Sequence, residues 1–264
     1  AVGAATFDAY VRSWTVVLAI LCGLLVLLGV YHVRALPAGG GAAERHSLRD
    51  GLSGLKEVVG AFFQKKHIWY YLGFIILYRL GEGFVMKIVP LFLKADTASG
   101  GLGLTNQQIG LYYGTFGAGA FLLGSLLAGY YIAHRGLRRT LFILCCIFNI
   151  PFAVYALLAW LQPQSMWIVG GGIVLEYFGY GFGFVGLTLF MMQQVAPGRH
   201  QMAHYAFASG IMNLSVMLTG AVSGYLSDAL GYGMFFLAVM LATVPAFLVT
   251  WFVPFTYDDK PNDK

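Results

Sequence analysis

Arg79, Glu82 and Lys87 stand close together in the otherwise apolar stretch YRLGEGFVMK, and Glu176 stands alone in IVLEYFGYGF. A charged side chain at the centre of a bilayer costs ~2.5 to 3.5 kcal/mol on insertion scales, so these four require protein or water around them. At 100° per residue, Glu82 falls about 60° to one side of Arg79 and Lys87 about 80° to the other, which predicts one shared sector of a helix. Arg79 offers a planar fork that can hold a carboxylate bidentately. A carboxylate in a low-dielectric cavity favours its neutral form and can exchange protons near neutrality. Arg79, Glu82 and Glu176 are therefore the candidates for substrate binding and proton coupling. The structural alternative is a permanent Arg79/Glu82 or Arg79/Glu176 pair that only joins helices. Lys87, nearer the end of its helix, can equally snorkel to the interface.

Aromatic and amide side chains form a second set. Tyr112, Tyr113, Phe116, Tyr177, Tyr180, Gln193 and Asn213 could stack on sugar faces and hydrogen-bond hydroxyls or peptide groups, with helix packing as the plainer role for each. His204, beside Tyr205, could titrate at the mouth of a cavity or simply be solvated. Gly81 and Gly83 flank Glu82, where they either loosen the helix or let a neighbour approach.

These residues need helices around them. Of 264 residues, 59% are apolar and 10% charged, whereas soluble domains carry about a quarter charged residues. A spanning helix takes roughly 20 apolar residues, and seven segments qualify: 14–33, 68–93, 107–133, 138–161, 166–194, 202–227 and 233–256. The expected class is an all-α polytopic bundle. The net charge of +5 is spread over short connections, so a nucleic-acid partner is not expected. Cys22, Cys145 and Cys146 lie in apolar runs and imply no disulfide framework. No metal or organic cofactor is expected.

One connection is long. It runs from Arg34 to His67, starts Pro-Gly-rich and becomes amphipathic, with Leu52, Leu55, Val58, Val59 and Phe62 opposite Arg49, Asp50, Lys56 and Glu57; this predicts a linker and a surface helix. Lys and Arg counts in alternate connections put that linker and the C-terminus in the cytoplasm. The expected organisation is one helix in 1–33, a linker in 34–67, six helices in 68–257 and a tail in 258–264. A chain with one span, a long linker and six more spans matches a twelve-span carrier cut before its sixth helix, and the absence of an initiating Met agrees with a truncated start.

Several motifs resemble AmpG-type permeases, the muropeptide importers of the major facilitator superfamily. LYRLGEG is similar to that family's seventh-helix signature at Tyr78, Arg79, Leu80, Gly81 and Glu82. HYAFASGIMNL resembles the start of its eleventh helix at Tyr205, Ala206 and Ser209, and GAVSGYLSDALGYGMFF the following turn at Gly220, Gly224, Gly231 and Phe235. GYYIAHRGLRRT resembles the superfamily's loop motif at Gly129, Gly136, Arg138 and Arg139, with Ala133 where an Asp is usual. The resemblance implies proton-driven import of anhydro-muropeptides, powered by the proton gradient, by a carrier that is monomeric when complete and has a second, N-terminal half. Related sugars or oligosaccharides carried by a symporter of another facilitator family remain the alternative. A seven-helix receptor is a weaker one, because the last span lacks a Schiff-base Lys. An enzyme is not expected, since neither H-E-x-x-H nor G-x-S-x-G occurs.

Overall fold

The computed structural model describes residues 2–36 and 48–257, with side chains from 7 and 54 onward. The Pro-Gly-rich stretch 37–47, the tail 258–264 and the side chains of the expected amphipathic positions 49–52 lie outside that description. The described residues are helical and contain no strand. They fall into two compact units, 1–51 and 52–264.

In the first unit, α1 (Val2–Ala35) is one apolar rod. Ser13 and Thr15 return their hydroxyls to the carbonyls of Ala9 and Val11, which lets polar residues sit in such a helix without open hydrogen bonds.

The second unit is the bundle. It comprises most of α2 (Leu48–Phe63), then α3 (Ile68–Tyr78), α4 (Leu80–Lys94), α5 (Asn106–Ile109), α6 (Gly117–Arg135), α7 (Leu137–Asn149), α8 (Ala153–Leu161), α9 (Met166–Phe190) and α10 (Gln201–Trp251). A π-helical segment, Gly110–Phe116, joins α5 to α6, and Met191–Val195 extends α9 in the same way. Thr105 caps α5 with Gln108 in a reciprocal capping box, as its position before Asn106 leads one to expect.

Among the described residues five helices are long and apolar enough to cross a membrane: Phe7–Ala35, Asn106–Arg135, Leu137–Leu161, Met166–Val195 and Gln201–Trp251. The difference from seven has two physical causes. The expected span 68–93 is divided at Arg79 (φ −100°, ψ 7°), leaving α3 and α4 each too short to cross alone. The last helix runs for 51 residues, about 76 Å at ~1.5 Å per residue and more than twice a hydrocarbon core. It breaks at Gly231 (φ 70°, ψ 160°), a conformation that glycine adopts without steric cost.

Lipid tails give apolar helices no hydrophobic reason to associate, so close backbone approach must supply the contact. It does so along α9. A side chain at Gly181 would collide with the carbonyl of Phe121 on α6, one at Gly124 with the carbonyl of Phe178 on α9, and one at Gly179 with the carbonyl of Ile147 on α7. A side chain at Gly83 on α4 would strike Thr219 of α10, and one at Gly81 would reach 2.6 Å from Thr243. Both glycines beside Glu82 thus serve close packing. Between the helices lies a core of buried aromatics that includes Phe74, Tyr78, Phe148, Tyr155, Phe190 and Phe236.

Candidate functional site

The break at Arg79 delivers its side chain into the bundle, where the residue is 4% exposed. Its Nε and Nη2 donate to the two carboxylate oxygens of Glu82, also 4% exposed. The guanidinium lies over the ring of Phe184 on α9, 5.3 Å from its centroid. Just before the break, Ser215 of α10 donates to the carbonyl of Ile76 (3.1 Å), and Tyr78 donates to the carbonyl of Gly183 (3.0 Å). The junction is therefore tied to two other helices.

Glu176 on α9 is 6% exposed. Its Oε2 accepts a hydrogen bond from the hydroxyl of Tyr155 on α8 (2.8 Å), and the Tyr155 ring stacks on Phe236 (5.7 Å). Glu82 and Glu176 line one cavity of ≈ 40 Å³ together with Val85, Met86, Tyr113, Tyr155, Tyr177 and Tyr180. Such a volume takes about one water, far below the roughly 300 Å³ at which small-molecule sites begin. Tyr113 and Tyr177 meet edge to face (4.9 Å) at its wall. Tyr112 and Tyr113 are neighbours in the π-helical segment, and Tyr112 packs on Gly170 and Phe116 instead.

Seven expected site residues lie elsewhere. Lys87 is exposed, its stem against Gly220 of α10; the angular count from Arg79 fails because Arg79 itself is not helical, so phase is lost there. Phe116 lines an apolar groove of ≈ 620 Å³ between α6 and α9, and Asn213 is exposed. Gln193 is half-buried with its Oε1 unpartnered, while its neighbour Gln194 holds the chain end through Thr256 N, Tyr257 N and Tyr257 O (2.8 to 3.1 Å). Tyr112 is described above, and Tyr205 packs on the core.

His204 is 2% exposed and meets the carbonyl of Val58 (3.2 Å) and the ring of Phe62, so α2 covers it. Lys65, just beyond α2, donates to the carbonyls of Val195 and Pro197 (2.6 Å each), a cation placed at a helix C-terminus. Partial burial lowers that ammonium from its ordinary pKa. In the loop motif, Gly136 (φ 77°) is the single link between α6 and α7, Gly129 lies in α6, Arg138 lies over the ring of Phe255 (6.0 Å), and Arg139 is exposed.

Tyr155 escaped the sequence reading. Its signal was faint: one phenol in AVYALLAWL, a buried hydroxyl that needs a partner.

Residues 75–264 match the family profile described as the Major Facilitator Superfamily. The anhydromuropeptide permease of Escherichia coli strain K12 is 26% identical over 188 residues, covering 71% of this chain and 37% of that protein. The putative transporter AmpG 2 of Rickettsia bellii is 24% identical over 195 residues (73% of this chain, 46% of that one). The protein of the same name from Rickettsia felis is 27% identical over 203 residues (73% and 45%). The chain spans less than half the length of these curated relatives.

Proposed function

The chain belongs to the major facilitator superfamily, and we propose that it forms one wall of a proton-driven importer of anhydro-muropeptides. The observation that carries this reading is the meeting of Glu82 and Glu176, from different helices, at one water-sized cavity with Arg79 clamped on the first of them. The names of the E. coli and Rickettsia relatives support the muropeptide class.

The steps follow from the pair. While Glu82 is ionised, its two oxygens occupy the Arg79 fork. A proton reaching Glu82 removes that partner's charge, and the freed guanidinium can take a carboxylate of the substrate in the same bidentate geometry. Release of the proton on the other side restores the internal pair and expels the substrate. Alternating access would then be a rocking of helix bundles about this site, with import from periplasm to cytoplasm across a bacterial inner membrane, a cytoplasmic C-terminus and a monomeric carrier. Substrate binding requires the cavity to open well beyond its present volume, against a wall that a second half supplies.

The test is uptake of labelled anhydro-muropeptide and of labelled chitobiose by cells making the full-length carrier, with and without a proton uncoupler. Uncoupler-sensitive uptake of the muropeptide is expected, lost in Arg79→Ala and Glu176→Gln at unchanged membrane insertion. Uptake of chitobiose alone would make it a sugar symporter, and normal uptake in both variants would remove Arg79 and Glu176 from the mechanism.

A further inference from the structure

We propose that the cavity between α4, α8 and α9 binds a single water that joins Glu176 to Glu82 as one proton path, with Tyr155 as the positioning residue for Glu176. The inference rests on the proton-coupled reading above and extends it to residues outside the Arg79 pair.

Glu176 is almost fully buried, and the Tyr155 hydroxyl is the one hydrogen-bond donor that reaches it among the described residues, on Oε2. Among the described residues no donor reaches its other oxygen, while Glu82 across the cavity already has both oxygens on Arg79. A volume of ≈ 40 Å³ admits a water and excludes a sugar. Tyr113, Tyr177 and Tyr180 also line this space, and a buried water needs two to four polar partners. The Tyr155 ring stacks on Phe236 of α10, which supports the hydroxyl where it meets Glu176. In the transfer, the Glu176 carboxyl gives its proton to the water as the water gives one of its own to Glu82. The water is regenerated, Glu176 becomes the carboxylate, and Arg79 loses its partner's charge.

The test uses the full-length carrier in proteoliposomes with labelled anhydro-muropeptide and two readouts: exchange at equal pH on both sides, and accumulation driven by a pH gradient. Tyr155→Phe keeps the ring and removes the donor to Glu176. The pH of half-maximal accumulation should rise by about one unit, the tenfold change that loss of a ~1.4 kcal/mol hydrogen bond to a charged group produces. Val85→Leu, which fills part of the cavity, should cut accumulation at least tenfold. An unmoved midpoint in Tyr155→Phe, or full accumulation in Val85→Leu, overturns the water path while leaving proton-coupled import intact. Exchange in the unmodified carrier with no response to the gradient overturns the coupling reading, and the water path with it.

Discussion

At the scale of single residues, the shape of a cation decides what Arg79 can do. A guanidinium engages both oxygens of Glu82 at once, whereas an ammonium is a point charge that cannot reproduce the fork. Arg79→Lys in the full-length carrier is expected to lower the uptake rate at least tenfold at unchanged protein level, measured with labelled muropeptide. A rate within twofold of normal would mean that charge alone matters there. Lys87→Ala should leave uptake within twofold, because that side chain lies along Gly220 and away from the cavity; a large loss would return Lys87 to the site. Arg79, Glu82 and Glu176 stand out in the sequence because ionised groups are rare in apolar runs. Tyr155 does not, since a phenol in such a run is usually packing. The sector expected to hold both Arg79 and Lys87 is not kept, because counting angles across Arg79 assumes a helix that the chain interrupts at that residue.

At the scale of elements, glycine contacts fix where the site residues sit. α9 carries Glu176, Tyr177 and Tyr180, and its distance from α6 is set where Gly181 meets the Phe121 backbone and Gly124 meets that of Phe178. Gly181→Leu would force these backbones apart, with no flexible side chain to yield. We expect a thermal midpoint lower by at least 5 °C in detergent and a loss of uptake, with Gly171→Ala as a control because nothing lies within 4 Å of that position. An unchanged midpoint in Gly181→Leu would mean that the two helices are not in contact there. Apolar length alone revealed most of the rods. The break at Arg79 was not legible, because no Pro or Gly occupies that position, and the interruption depends on partners over a hundred residues away, Ser215 and Gly183. The docking of α2 on His204 was equally hidden, since a half-apolar helix can face lipid or protein with the same pattern.

At the scale of the whole molecule, volume is the argument. The cavity holding the two carboxylates measures ≈ 40 Å³, while a ligand the size of a disaccharide peptide needs a site of several hundred cubic ångströms. Rocking one set of helices cannot create that space unless something stands opposite, and in this superfamily the substrate site lies between two six-helix halves. This chain matches 37 to 46% of the length of these two relatives. Cells that produce residues 1–264 and lack any other muropeptide carrier are therefore expected to insert the chain yet accumulate no labelled anhydro-muropeptide above cells with an empty vector. Cells given the E. coli permease instead provide the positive signal. Equal uptake by the two would mean that copies of this chain can face one another and enclose a pore, and the single-wall account would have to be abandoned for a symmetric one in which each Arg79 has a counterpart across the axis.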